Sequence, residues 1–171
     1  MDAAGRGARG GAQGLMRLHL CAVGRLRAGP ERALIDDYLA RFDRTGRSLG
    51  LGPAAVHEVE DRKGGGIAAE ATLLARAVPD GAFSVAMDER GSTLASPDLA
   101  RMLAQVRDGG WQDMAFLIGG ADGMAPGLRD RCDLVLSFGP MVWPHMLARV
   151  MLCEQLYRAA TILAGAPYHR A

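Results

Sequence analysis

A chain of 171 residues, 49% apolar and 23% charged, has the size and balance of one globular domain around one core. A net charge of +1 excludes a protein that grips naked nucleic acid by bulk charge, so any RNA partner must meet a local basic patch or be offered on a preassembled surface. No apolar run approaches the roughly 20 residues that cross a bilayer. The three cysteines, Cys21, Cys132 and Cys153, are too scattered for a disulfide framework or a CxxC metal site. Neither a membrane nor a metal is expected, and the odd cysteine count fits a reducing cytoplasm.

In chain order, residues 1–14 hold five glycines and four alanines and have little to bury. Such a stretch cannot offset its ordering entropy and reads as a disordered tail, with Met16 a second candidate start and 15–171 a single domain. Arg6 and Arg9 precede no apolar segment, so the tail is not a secretory signal. Leu15–Val23 reads as a strand ending at Gly24. Pro30 opens a helix whose Leu34, Ile35, Tyr38, Leu39 and Phe42 share a face. Ala54–Glu60 is a short strand, followed by the basic loop Arg62-Lys63-Gly64-Gly65-Gly66. Ile67–Val78 is a helix stopped by Pro79-Asp80-Gly81. Phe83–Asp88 is a buried strand, and Ser96-Pro97 supplies an N-cap and first-turn proline for a helix through Val106. Met114–Ile118 is a strand running into Gly119-Gly120-Ala121-Asp122-Gly123. A short helix over Pro126–Arg131, a strand at Leu134–Ser137, an irregular Phe138–Trp143 and a long helix from Pro144 to Ala164 complete the chain.

This alternation implies an α/β fold, a mainly parallel sheet flanked by helices. The last helix carries Leu147, Val150, Met151, Leu152, Cys153, Leu156, Tyr157, Ile162 and Leu163 around most of its circumference and must be covered on more than one side. In so small a domain the second cover is expected to be another subunit, giving a homodimer.

In parallel sheets ligands bind beyond the carboxyl ends of the strands. Three such ends are marked by glycine or proline: Met87–Gly91, Gly119–Gly123 and Phe138–Trp143. Each is open to two readings, a structural turn or a site where a ligand approaches bare backbone. Neither the Rossmann nor the P-loop spacing is present. His19 and His57 read as strand residues without partners. His145 and Arg149 fall on one helix face, as a helix-start pair or a substrate contact. Glu154 and Arg158 are spaced as an ordinary helical ion pair. The tail Pro167-Tyr168-His169-Arg170 is either disordered or a contact for RNA or substrate. Cys21 and Cys153 read as inert packing, and no nucleophile elbow or zinc-helix motif occurs.

Four segments resemble the RlmH family of bacterial SPOUT methyltransferases: Phe116-Leu117-Ile118-Gly119-Gly120-Ala121-Asp122-Gly123, Trp143-Pro144-His145-Met146-Leu147-Ala148-Arg149-Val150, Glu154-Gln155-Leu156-Tyr157-Arg158-Ala159 and Pro167-Tyr168-His169. Order and spacing are kept from Met16 to the end. The resemblance implies S-adenosylmethionine-dependent methylation of N3 of a pseudouridine in large-subunit (23S) ribosomal RNA, a homodimer, and a deep C-terminal trefoil knot. It carries cofactor contacts to Met87, Gly119, Phe138, Gly139, Pro140, Met141, Val142 and Trp143. Met87 and Trp143 stand where members often have Leu, or Leu and Phe, and Phe138-Gly139-Pro140 replaces a commoner Leu-Ser-containing stretch.

The N3 proton must leave during transfer, and His169 is the candidate to handle it, with Arg149 stabilising negative charge on the ring. Tyr168 and Arg170 would position RNA, and Lys63 and Arg62 touch phosphate. Near-zero net charge suits a substrate presented by the assembled ribosome. The alternatives are a non-catalytic ribosome- or nucleotide-binding module of the same fold, and a flavodoxin-like small-molecule enzyme.

Overall fold

The computed structural model describes residues 14–170. The tail reading over 1–13 lies outside the described residues. The elements are β1 (Met16–Val23), α1 (Pro30–Gly46), β2 (Leu51–Val59), α2 (Gly66–Ala77), β3 (Phe83–Thr93), α3 (Ser96–Asp108), β4 (Asp113–Ile118), α4 (Pro126–Arg129), β5 (Leu134–Ser137) and α5 (His145–Ala164). One sheet has the order β2-β1-β4-β3-β5, and every pairing is parallel. All five carboxyl ends therefore lie along one edge.

Strand alternation divides the core between two faces. Leu18, Leu20, Val85 and Phe116 meet Ile35, Leu39 and Phe42 of α1, Leu99 and Leu103 of α3, and Leu152, Cys153 and Leu156 of α5. Cys21, Ala86, Ala115 and Leu117 meet Leu74 of α2 and Leu128 of α4 on the other face. β4, at the centre, is buried along its whole length. No helix among the described residues is long and apolar enough to cross a membrane.

Several boundaries differ from the sequence reading. β2 begins at Leu51, earlier than its hydrophobic pattern indicated, because Leu51 is buried opposite Met16. β3 continues to Thr93: Met87 and Ser92 both stand opposite Leu136, so Asp88–Gly91 bulge from the ladder before the strand resumes. Gly91 makes the return possible, since a Cβ there would lie 2.6 Å from the backbone of Val135 and Leu136. Ser96 is not an N-cap. Ala95 holds that position, and the Ser96 hydroxyl donates to Gln155 Oε1 on α5 at 2.7 Å, a tertiary bond in place of a local one.

His19 and His57 are not partnerless either. The Asp113 carboxylate accepts from Arg17 Nε at 2.8 Å, Arg17 Nη2 at 2.9 Å and His19 Nε2 at 2.8 Å. His19 Nδ1 then faces His57 Nε2 at 2.9 Å. Because the carboxylate only accepts, neutral His19 carries its proton on Nε2 and accepts from His57 through Nδ1. This chain crosses three strands, starting at the amino end of β4 and running inward to β2. Burial, and then the charge of His19, push the His57 pKa below its usual value. Burial opposes ionisation of Asp113, but hydrogen bonds from Arg17 and His19 prevail and hold its pKa below the usual carboxylate range.

The signs follow from linkage. Unfolding frees His57 to take a proton at about its ordinary 6.5, so stability falls as the pH drops below that value. Asp113 adds a second loss below about pH 4, where the unfolded carboxyl protonates. Urea unfolding should therefore show a stability decrease between about pH 7 and pH 5 that His57→Gln largely removes. Asp113→Asn should instead flatten the decline below about pH 4.

Candidate active site: a glycine-walled cleft at the carboxyl edge

The bulge of β3 lies beside the ends of β4 and β5, and it and the loops after those two strands enclose a cleft of about 770 Å³, within the range of small-molecule sites. Met87 and the bulged Asp88-Glu89-Arg90 form one wall. Gly119–Gly123 form the second, folded on themselves by a Gly123 N–H to Gly120 C=O bond of 3.0 Å. A Cβ on Gly119 would come within 2.6 Å of Gly123 O, so this wall requires glycine. The third wall is Leu136–Gly139 with Met141, Val142 and Trp143. There the Ser137 hydroxyl accepts from Gly139 N–H at 3.0 Å and donates to Gly139 O at 3.1 Å. Gly139 has φ 110°, where a side chain would be strained. His145 and Ala148, on the first turn of α5, close the fourth side.

Seven of the eight expected cofactor residues line this cleft: Met87, Gly119, Phe138, Gly139, Met141, Val142 and Trp143. Pro140 lies in the same segment without lining it. Met141 and Val142 are 69% and 82% exposed, an apolar lip of the kind that marks a binding surface. Asp88, Asp122 and His145 also line the cleft. Sequence reasoning took Met87 from its loop and passed over Asp88, whose position beside it at a strand end was the available signal.

Arg149 departs from its expected role. It is 2% exposed: Nη1 bonds Glu58 Oε2 at 2.9 Å, and Nη2 donates to the carbonyls of Val23 and Gly24, both at 2.8 Å. A guanidinium committed to these partners braces α5 against the ends of β1 and β2 and does not face an RNA base. The helix-start pairing with His145 also resolves here, since His145 lines the cleft while Arg149 lies buried one turn on.

Tyr168 and His169 fold back onto the middle of α5. Glu154 Oε1 accepts from Tyr168 Oη at 3.1 Å and from Arg158 Nε and Nη2 at 3.0 and 2.6 Å. Arg158 Nη1 lies 3.3 Å from His169 Nδ1. The Arg158 guanidinium also stacks 4.9 Å from the Tyr168 ring centre, and Tyr157 packs 4.7 Å from it. Burial and the bond to Glu154 push the Tyr168 hydroxyl up to about 12, so near neutral pH it is a donor and not a base. Glu154 lines a second cavity of about 480 Å³ that shares Met87, Leu136, Ser137 and Phe138 with the first. Arg170 is exposed. Arg62, paired with Glu60 at 3.5 Å, and Lys63 occupy the loop after β2, on the same carboxyl edge as the cleft.

A parallel α/β sheet with a glycine-walled cleft at its carboxyl edge, closed by the start of a final helix, defines an α/β protein built to bind a small ligand. Residues 16–169 match the family model described as "Predicted SPOUT methyltransferase", and the chain belongs to that family. It is 70% identical over 155 residues to the Ribosomal RNA large subunit methyltransferase H of Dinoroseobacter shibae, covering 91% of this chain and 99% of that protein. Identity to the protein of the same name from Cereibacter sphaeroides is 69% over the same coverage. Among solved structures, a probable methyltransferase from Bordetella pertussis Tohama I is 12% identical, covering 84% of this chain and 94% of that one, with a TM-score of 0.48.

Replacing Arg149 by Met should leave Glu58 without its buried partner and cost about 3 kcal/mol of unfolding free energy. Denaturant unfolding measures the loss.

Proposed function

We propose that this chain transfers the methyl group of S-adenosylmethionine to N3 of a pseudouridine in large-subunit (23S) ribosomal RNA. It acts in the cytoplasm on the assembled ribosome, as a homodimer, and requires no metal. The observation that carries this reading is the convergence of the β3 bulge and the loops after β4 and β5 on one cleft of about 770 Å³. The names of relatives at 70% and 69% identity over 99% of their length support the ribosomal substrate.

The residues fit the cofactor. Met87, Leu136 and Phe138 offer apolar surface for a base, while Gly119 and Gly139 bring bare backbone to its polar edges. Bound S-adenosylmethionine supplies a methyl group already activated by a sulfonium, so the protein's main task is positioning. The cleft walls hold the donor and exclude water. Tyr168, fixed by Glu154 and Tyr157, presents a neutral hydroxyl. An arginine can only donate, so His169 Nδ1 accepts from Arg158, and neutral His169 carries its proton on Nε2. In that arrangement His169 donates toward a pyrimidine carbonyl and stabilises negative charge on the ring while the N3 proton passes to solvent water. To take that proton itself, it must first exchange the Arg158 contact. Tyr168 and Arg170 position the RNA, and Lys63 and Arg62 touch phosphate, a role supported by their exposure in the loop after β2.

The homodimer is supported by apolar side chains left exposed around α5 and its neighbours: Leu34, Leu94, Met146 and Leu147 are 39–44% exposed. The C-terminal knot belongs to the same proposal. It is supported by β5 standing outside β3 while the following chain returns as α5 across α1 and α3.

Labelled methyl from S-adenosylmethionine should reach ribosomes lacking the modification, map to a pseudouridine N3, and transfer more efficiently there than to free ribosomal RNA. Absence of label despite saturable cofactor binding would reduce the chain to a binding module. His169→Ala should slow transfer by about 100-fold, the low end for a lost acid–base group. Its cofactor affinity should be unchanged in calorimetry, and an unaffected rate removes His169 from the mechanism.

A further inference from the structure

The loop between β1 and α1 displays two arginines around one pinned residue. Leu26 is 6% exposed and sits in the core with Ile35 and Leu39. Its N–H donates to Glu58 Oε2 near the end of β2, and its carbonyl accepts from Arg32 Nη1 at 3.3 Å. A residue held by its side chain and by both backbone groups leaves its neighbours little choice, and Arg25 and Arg27 on either side are exposed. The carboxylates nearby are engaged elsewhere. Glu58 pairs with Arg149 at 2.9 Å, Glu60 with Arg62 at 3.5 Å and Asp36 with Arg32 at 3.3 Å. Asp61 accepts the N–H groups of Lys63 and Gly66. Glu31 lies beyond the pair, on the first turn of α1 beside Gly29. Among the described residues, neither Arg25 nor Arg27 forms an ion pair.

The pair stands at the edge of the cleft. A Cβ on Gly120 would lie 3.1 Å from Val23 Cγ1, and one on Gly24 would lie 4.0 Å from His145 Nε2. The end of β1 therefore packs against the second wall and the fourth side of the cleft, and Arg25 is the next residue. Gly24 N–H donates to Val59 O at 2.8 Å, which sets this loop beside the one that carries Arg62 and Lys63. In the sheet order β2-β1-β4, cations on two adjacent loops thus lead along the carboxyl edge to the cleft. An RNA strand that delivers a base into the cleft carries its flanking phosphates over that edge. Guanidiniums suit phosphate because their paired N–H groups meet two of its oxygens at once. With a net charge of only +1, such a local patch is where attraction for RNA must reside.

We propose that Arg25 and Arg27 bind phosphates of the ribosomal RNA strand that flanks the target nucleotide, extending the contact of Arg62 and Lys63 onto the loop after β1. This inference rests on ribosomal RNA being the substrate.

The test is methyl transfer by the full chain to ribosomes lacking the modification, measured over a series of potassium chloride concentrations. Arg25→Gln combined with Arg27→Gln should raise KM for ribosomes about tenfold and leave kcat within about twofold. The slope of log(kcat/KM) against log salt should become shallower by about 1.4, two contacts at about 0.7 each on a single strand. Calorimetric affinity for S-adenosylhomocysteine should not change. Arg25→Lys with Arg27→Lys, which keeps the charge, should retain the wild-type slope. Arg27→Gln alone, with about half the change in slope, covers the case in which the double variant fails to fold. An unmoved KM and slope, or a lysine pair that loses as much as the glutamine pair, overturns the phosphate contact. A loss seen on ribosomes but absent from filter binding of free large-subunit RNA moves the contact to a ribosomal protein and overturns it too. A wild type that labels neither ribosomes nor free RNA overturns the substrate reading beneath, a result distinct from transfer that persists with the salt slope unmoved.

Discussion

The buried guanidinium of Arg149 is the interaction on which the geometry of the cleft depends. It projects from the first turns of α5, contacts the last carbonyls of β1 and Glu58 near the end of β2, and is almost wholly removed from water. A cation in that position is tolerable only with its partners in place, so α5 can start in essentially one place relative to the sheet. His145 and Ala148 are thereby set against the bulge of β3 and the loops after β4 and β5. The charge supplies registry between a helix and a sheet edge, and the cleft inherits that registry.

From that fixed start, α5 carries Glu154 and Arg158 to the place where the chain terminus folds back. Tyr168 and His169 are held there by a carboxylate, a guanidinium and an aromatic neighbour, so a segment that composition leaves open to disorder acquires a defined arrangement. The cleft and a second, mostly apolar cavity that reaches Glu154 share Met87, Leu136, Ser137 and Phe138 as a common partition.

Much of this was legible in the sequence, for identifiable reasons. Alternating apolar runs and glycine or proline punctuation are local signals, and they located each strand and α-helix, with β3 the one that runs well past its expected end, together with the three segments that became the cleft. Contacts between distant segments leave no such trace. The pairing of His19 with His57, and the reach of both to Asp113, depend on β4 and β2 flanking β1, which periodicity does not encode. Arg149 read as a surface helix residue because one chain cannot announce that two carbonyls and a carboxylate will converge on it. Ser96 carried a sound capping signal, but Gln155 on another helix offered its hydroxyl a better partner. The four-residue excursion in β3 was likewise hidden, because the pattern stops at Asp88 and resumes without a marker other than Gly91.

That excursion has a mechanical consequence. β3 leaves its neighbour at Met87 and rejoins the same residue of that neighbour, Leu136, at Ser92. The ladder on either side is therefore indifferent to how many residues lie between. Lengthening the excursion changes only a loop-closure entropy, which grows by about 0.6 kcal/mol for each doubling. The rim of the cleft can thus be lengthened or recontoured while the buried sheet keeps its alignment, which separates evolvability of the binding surface from stability of the core.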